Sequence, residues 1–420
     1  MQPGCLWTDG KKGTAIGGAA LPSETDVAIV GGGYTGLAAA RAIARAGKSV
    51  VIIEKETIGF GASSRNGGFV LPGFKEDLDV LIARYGRARA MALYQESLAA
   101  IGFLEDLISR ESISCDFHRS GHVTLAETAK QFRALENSAR LLGSYGQPCS
   151  ILDSRSIRNE VGSSLYRGGL LDPAAAQVQP ARLLSGMTRA ALSAGATLVE
   201  GAEVRNIGSR NGQTLVETSR GTVQAGAVIV ATNGYSRAAH PELCSRIVPI
   251  GSHIIATVPL IASVAKSLLP TGRIVNDSRN LLHYYRLSAD GRLVFGGRAS
   301  FTPTSEARTE SILRHDMVRI FPELAQTLIE YAWSGFVGFT RDQMPHIERL
   351  GDAWCAGGYC GHGVAMSVFL GDRLGQHVAT GAELPELATL DFPKIPLYHG
   401  DPWFLPIVGG WYRMRDWIDQ

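Results

Sequence analysis

Residues 26–36 read Asp26-Val27-Ala28-Ile29-Val30-Gly31-Gly32-Gly33-Tyr34-Thr35-Gly36, a buried-strand run that enters a G-x-G-x-x-G turn without a break. A second apolar run, Val50-Val51-Ile52-Ile53, ends at Glu54 with Lys55 beside it. Strand, glycine turn, helix and strand-end acid together predict a β-α-β unit that cradles a dinucleotide. Gly31 permits the tight turn, Gly33 lets the backbone approach a pyrophosphate, and Gly36 lets helix and strand close on each other. Tyr34 and Thr35 begin the helix. It continues through Leu37 to Ala46 and is capped by Gly47, and its N-terminus turns free N–H groups and a positive dipole end toward the phosphates. Glu54 is placed to accept from a ribose hydroxyl.

Two later segments bear on which dinucleotide this is. Residues 59–68, Gly59-Phe60-Gly61-Ala62-Ser63-Ser64-Arg65-Asn66-Gly67-Gly68, follow the second strand closely. Small residues and hydroxyls there suit a loop running along a pyrophosphate and the edge of a ring system, although an ordinary surface turn would read alike. Far downstream, Gly357-Gly358-Tyr359-Cys360-Gly361-His362-Gly363 follows a short apolar strand, Ala353 to Ala356, and opens a helix from Val364 to Thr380. A glycine loop at a helix N-terminus is a second anion-stabilising site. One phosphate cradle plus one remote anion site suits FAD better than NAD.

The 41 basic and 39 acidic residues are interleaved, a net charge of +2 that leaves no electrostatic footprint for nucleic acid. Six cysteines at 5, 115, 149, 244, 355 and 360 form no CxxC or zinc spacing, which suits reduced thiols in a cytoplasmic protein. The ten histidines show no metal-ligand spacing, so no metal site is expected. No apolar run reaches transmembrane length.

The G-G-G-Y-T-G turn, G-A-S-S-R-N-G-G, Ala231-Thr232-Asn233-Gly234-Tyr235-Ser236 and G-G-Y-C-G-H-G together resemble the D-amino-acid oxidase superfamily. Within it the chain is most similar to the branch of glycine oxidase, sarcosine oxidase and γ-glutamylputrescine oxidoreductase. The last is nearest, through R-N-G-G, the stretch Leu287 to Gly297, and Pro402-Trp403-Phe404-Leu405-Pro406. The resemblance covers residues 26–411. It implies FAD, a two-domain fold and oxidation of a C–N bond in an amine.

The expected fold is α/β: a Rossmann-like FAD-binding domain over 26–80, 150–235 and 335–385, and an α+β substrate domain with an antiparallel sheet over 81–149 and 236–334. Both are discontinuous. Residues 1–25 read as a flexible lead-in and 386–420 as a C-terminal tail. Lys55, Ala62, Ser63, Ser64, Arg65, Asn66, Gly67, Gly68, Ala231, Thr232, Asn233, Gly358, Gly361, Gly363 and Val364 join the first cradle as expected cofactor contacts, and the resemblance adds Val204, whose backbone would hold the adenine. His362 reads either as a group beside the flavin or as a shape requirement of its loop. Tyr284 and Tyr285 are candidate catalytic residues, and His283 and Arg298 candidate substrate contacts. Strand alternation allows only about half of these to face inward.

Departures from the family pattern carry information too. Ala365 stands where sarcosine oxidases place a carboxylate-binding lysine, and Gly68 where they place an arginine. Losing both cations disfavours a small α-amino acid and favours a larger or γ-glutamylated amine. Val294 stands at the lysine used for oxygen activation, which leaves oxygen and a quinone or carrier both open as acceptors. Gly335 stands at the flavin attachment site, so FAD is expected to be non-covalent. The tail from Pro402 to Trp417 reads as packed on its own protein, its prolines and Gly409-Gly410 interrupting any helix, with contact to a membrane surface as the alternative. A nucleotide-binding protein without redox chemistry is the third functional reading.

Overall fold

Strand Glu24–Val30 is central because Val27, Ala28 and Ile29 are buried and pair in parallel on both sides, Ile29 lying opposite Ile52 and Ile229. It belongs to an eight-stranded sheet whose main path runs His346–Leu350, Ala353–Gly357, Gly221–Val230, Glu24–Val30, Val50–Ile53 and Thr197–Val199. The antiparallel pair Val204–Arg210 and Gln213–Thr218 hangs on Gly221–Val230. The computed structural model describes residues 4–8, 18–210, 213–236, 240–298, 300–301 and 304–418. Helix Tyr34–Arg45 lies against helix Gly363–Thr380. Their backbones approach so closely that a Cβ on Gly371 would stand 2.4 Å from the Thr35 carbonyl oxygen.

A second eight-stranded sheet has the order Ile329–Phe339, Val248–Thr257, Leu293–Gly297, Tyr284–Leu287, Ile274–Asp277, His122–Ala126, Gly168–Asp172 and Ser150–Leu152. It is antiparallel except where Ile274–Asp277 meets His122–Ala126 in parallel. On one face, Leu313 and Met317 of helix Glu306–Ile320 join Val123, Leu125, Tyr285 and Phe295 in a dry core. The other face, carrying Tyr284 and Ile254, looks toward the nucleotide-binding half.

Sheet membership moves the expected domain boundaries. Strands Ser150–Leu152 and Gly168–Asp172 belong with His122–Ala126, not with the nucleotide unit. Helix Arg87–Arg110 puts Leu93, Ile101 and Leu104 into the same core as Leu37 and Phe369, so it belongs to the nucleotide side. Which elements these strands and this helix join is fixed by tertiary contact, which local sequence pattern does not report.

Both ends of the chain also differ from expectation. Leu6–Thr8 is a single 3₁₀ turn whose Trp7 is 4% exposed, so this part of the lead-in is anchored; residues 1–3 and 9–17 lie outside the described residues. At the other end a helix runs Leu405–Ile418 through both glycines. Pro406 falls in its first turn, where no N–H is needed. Gly409 meets the Phe301 ring at 2.7 Å from an added Cβ, so glycine there is a packing requirement and not a breaker. Leu405 is buried, whereas Trp403, Ile407 and Trp411 are exposed, and the side chains of Arg413, Arg415 and Trp417 lie outside the described residues. Among the described residues no helix is long and apolar enough to cross a membrane.

Candidate active site

The glycine turn has the geometry a dinucleotide needs. Gly31 adopts φ +106°, and a Cβ on Gly36 would stand 2.0 Å from the Gly31 carbonyl oxygen, so only glycine lets helix and strand meet. Glu54 accepts from the Gly32 N–H at 2.8 Å and the Glu56 N–H at 3.0 Å; burial pushes its pKa up while these bonds oppose the shift. Each carboxylate oxygen keeps lone-pair capacity for a ribose hydroxyl. Lys55 pairs with Glu203 at 2.8 Å beside Val204. Tyr34 and Thr35 act through their backbones. The Tyr34 hydroxyl donates to the Pro180 carbonyl at 2.8 Å, and the Thr35 hydroxyl bonds the Tyr359 hydroxyl at 2.7 Å.

The 59–68 loop is rigid because it satisfies itself. The Ser63 hydroxyl accepts from the Tyr34 N–H, the Ser64 hydroxyl donates to the Gly59 carbonyl, and Arg65 Nε donates to the Phe60 carbonyl. Asn66 donates to the Ala62 and Ser63 carbonyls and accepts from the Gly68 N–H. Gly68, at φ +77°, has no room for a side chain, since an added Cβ would stand 2.2 Å from the Val178 carbonyl oxygen. Arg286 fills the adjoining space from the second sheet, donating to Val178 and Gln177 under the Trp7 ring. It is buried, which pulls its pKa down to about 10. Sequence reasoning missed Arg286 and also Trp7, whose indole N–H donates to the Asn66 carbonyl.

A cavity of about 280 Å³ runs along this cradle. Gly31, Gly33, Glu54, Ala62, Ser63 and Asn66 line it, as do Lys55, Val204, Ala231, Thr232 and Asn233. Gly361, Gly363 and Val364 line it as well, together with Tyr34 and Thr35. Asn233 Oδ1 accepts from the Gly358 N–H at 2.9 Å, tying the two glycine segments together. Gly36, Ser64, Arg65, Gly67, Gly68 and Gly358 stand behind this surface and shape it. The Cys360 thiol donates to the Gly358 carbonyl at 3.1 Å, and burial pushes its pKa up to about 11, as befits a packing thiol.

The second sheet separates the remaining candidates by face. Tyr284 lies on the face toward the cofactor loop, its hydroxyl 3.0 Å from the Ser252 hydroxyl and its ring edge-on to Phe69 at 5.6 Å. An added Cβ on Gly67 would meet that ring at 3.0 Å. Tyr285 and His283 point to the opposite face, which removes both from the expected site. Tyr285 is fully buried and donates to Tyr166, and His283 is held by Asp277 at 2.7 Å and Asp316 at 3.2 Å. Arg298 donates to the Gly251 carbonyl and lies over the Phe301 and Phe339 rings on the Tyr284 side. His362 precedes helix Gly363–Thr380, and its Nδ1 is buried with no hydrogen-bond partner among the described residues. Burial, then the Lys75 charge and then His122 bring its pKa down to about 3, so the ring is neutral. His122, unforeseen in the sequence, meets Phe69 edge-on at 6.4 Å.

With this geometry in hand, the comparisons are decisive. The family model described as FAD dependent oxidoreductase (DAO) matches residues 26–377. The chain belongs to that family. It is 34% identical over 397 residues to gamma-glutamylputrescine oxidoreductase of Escherichia coli K12, covering 93% of this chain and 92% of the relative. It is 34% identical over 384 residues to the probable oxidoreductase OrdL of Haemophilus influenzae, covering 90% of this chain and 88% of the relative. Among solved structures, glycine oxidase from Geobacillus kaustophilus superposes with TM-score 0.69 at 24% identity, over 90% of this chain and 99% of that one.

As a DAO-family protein the chain uses FAD, and its residues fit that cofactor. The Gly31–Gly36 turn borders a cavity that Glu54 also lines with lone pairs to spare, and Gly361 and Gly363 bring a helix N-terminus to the same cavity. Bound FAD supplies the two-electron acceptor. The chain supplies the walls: Gly31 and Gly33 from the turn, Ser63 and Asn66 from the loop, and Asn233 and Gly361 from the later segments.

Proposed function

We propose that the protein oxidises a C–N bond in an amine to an imine that water then hydrolyses. The observation carrying this reading is the overlap of nearly the whole chain with the FAD dependent oxidoreductase family and with a relative named gamma-glutamylputrescine oxidoreductase. Burial keeps the His362 imidazole neutral, so it offers a lone pair. Amine oxidation needs the substrate nitrogen without its extra proton, and neutral acceptors bind that form without demanding a charge. Orientation of the substrate carbon is the protein's remaining task.

The substrate in this reading is a larger amine, with γ-glutamylated putrescine the first choice. A relative of near-complete overlap carries that compound in its name. Ala365 is buried and brings no charge. Gly68 has no room for a cationic side chain, and Arg286 beside it donates through its two terminal nitrogens to Gln177 and Val178. FAD is held without a covalent bond in this reading, Gly335 offering no nucleophile.

Oxygen is the first choice of acceptor, giving hydrogen peroxide. A quinone or carrier is the second reading, supported by Val294, whose apolar side chain is packed with Ile254 and Trp333 where relatives need a lysine. Turnover assays with γ-glutamylputrescine, putrescine and sarcosine, following both peroxide and reduction of a quinone dye, test all of this. Peroxide from the glutamylated amine is expected. Turnover of sarcosine alone would overturn the substrate assignment, and dye reduction without peroxide would select the second acceptor.

A further inference from the structure

We propose that Nε2 of His122 is a substrate contact, a lone-pair acceptor for the N–H of the amine. This rests on the amine reading above and deepens it. His122 opens strand His122–Ala126, where Val123 and Leu125 point into the dry core and His122 and Thr124 point the other way, to the face that carries Tyr284. Its ring meets Phe69, which meets Tyr284, which packs on Gly67 of the cofactor loop. A continuous aromatic wall therefore leads from the cofactor loop to this imidazole. On the other side of the same wall, strand Phe69–Val70 packs on the helix that His362 precedes.

The strands beside His122 leave one of its ring nitrogens unpaired. Asn276 stands on the neighbouring strand, whose Ile274 is the register partner of His122. Its Nδ2 donates to the Asp277 carbonyl at 2.8 Å, and its Oδ1 accepts from Thr124 at 3.3 Å. Asp172, the register partner on the other side, turns its Oδ1 to the Ala174 N–H. His122 Nε2 is buried and without a hydrogen-bond partner among the described residues. Burial holds the His122 pKa down to about 4, so the ring is neutral and keeps one nitrogen with a free lone pair.

A buried polar nitrogen with no partner is costly to a fold unless something else satisfies it. His122 Nε2 and His362 Nδ1 are two such nitrogens, and their rings are near enough to act on each other. An amine N–H is the donor that the reaction class provides.

The test compares H122F and H122Q by anaerobic titration with γ-glutamylputrescine, reading the amine Kd from the flavin spectrum and flavin content separately. H122F keeps the ring contact with Phe69 but has no acceptor, and a roughly tenfold or greater rise in Kd with unchanged flavin content is expected, as for one lost hydrogen bond to a buried group. H122Q carries an acceptor oxygen near the Nε2 position and recovers most of the affinity. Equal Kd in H122F and wild type overturns the assignment, as does equal weakening in H122F and H122Q. A wild-type protein whose flavin responds to no amine overturns the amine reading itself, and so is distinguishable from failure of His122 alone.

Discussion

Trp7 and Trp333 hold one turn from two directions. Their rings meet edge-to-face at 6.1 Å, and their indole N–H groups donate to consecutive carbonyls, Asn66 and Arg65, each at 2.8 Å. One comes from the N-terminal segment and the other from the second sheet, so both halves of the molecule and its N-terminus converge on the cofactor loop. The Gln179 amide fixes the strap further by donating to the Trp7 carbonyl at 3.1 Å.

Removing this pin loosens the loop before it touches anything else. Trp7→Ala is expected to cost about 3–5 kcal/mol, the range for deleting a buried tryptophan. Trp7→Phe keeps most of the packing and loses the donor, for about 0.5–1.5 kcal/mol. Thermal melts of the flavin-loaded protein check the order, and flavin released on dilution should rise in the same order. Equal melting of both variants and wild type would show that the strap contributes nothing.

Gly36→Ala should lose the cofactor. Its new Cβ would stand 2.0 Å from the Gly31 carbonyl oxygen, backbone that cannot step aside. Gly47→Ala is the control: φ is +79°, but the added atom meets nothing within 4 Å, so only a left-handed backbone penalty of about 1–2 kcal/mol applies. Flavin-to-protein ratios after purification distinguish the two, and full flavin content in Gly36→Ala would contradict the cradle geometry.

His283 predicts a stability change on the alkaline side. Burial works against its charge, but Asp277 and then Asp316 outweigh it and bring the pKa up to about 9. A raised folded-state pKa gives stability that is complete below the unfolded value near 6.5, and that is lost as pH rises through about 9. Denaturant midpoints of the native protein should therefore fall between those pH values. His283→Gln should be less stable at low pH and show a flatter profile across the same window. An identical slope in the variant would place the titration elsewhere.

Tyr284→Phe removes a hydroxyl and leaves the ring against Phe69 and Gly67. Stability should change by about 1 kcal/mol for the lost bond to Ser252. A change in the limiting rate of flavin reduction larger than the change in amine Kd would assign the hydroxyl to the reacting geometry. Unchanged values of both would make Tyr284 a wall and nothing more.

What the sequence made legible was local. The strand–glycine–helix cradle, Glu54, and the helix after Gly363 each depend on residues close together in the chain, so spacing alone predicted them. Tyr284 and His283 show where that stops. Alternation says that neighbours on a strand face opposite ways, but not which way the cofactor lies. His122 and Trp7 were invisible for a related reason. One gains its meaning from the ring of Phe69 on another strand, the other from carbonyls on a distant loop. Gly409 misled because a glycine read as a helix breaker is here the residue that lets Phe301 approach.

The most direct test of the account is anaerobic addition of γ-glutamylputrescine to the purified, flavin-loaded protein while the visible flavin band is followed. The account predicts rapid, stoichiometric bleaching by this amine and little by sarcosine. A yellow protein that no amine bleaches would contradict it.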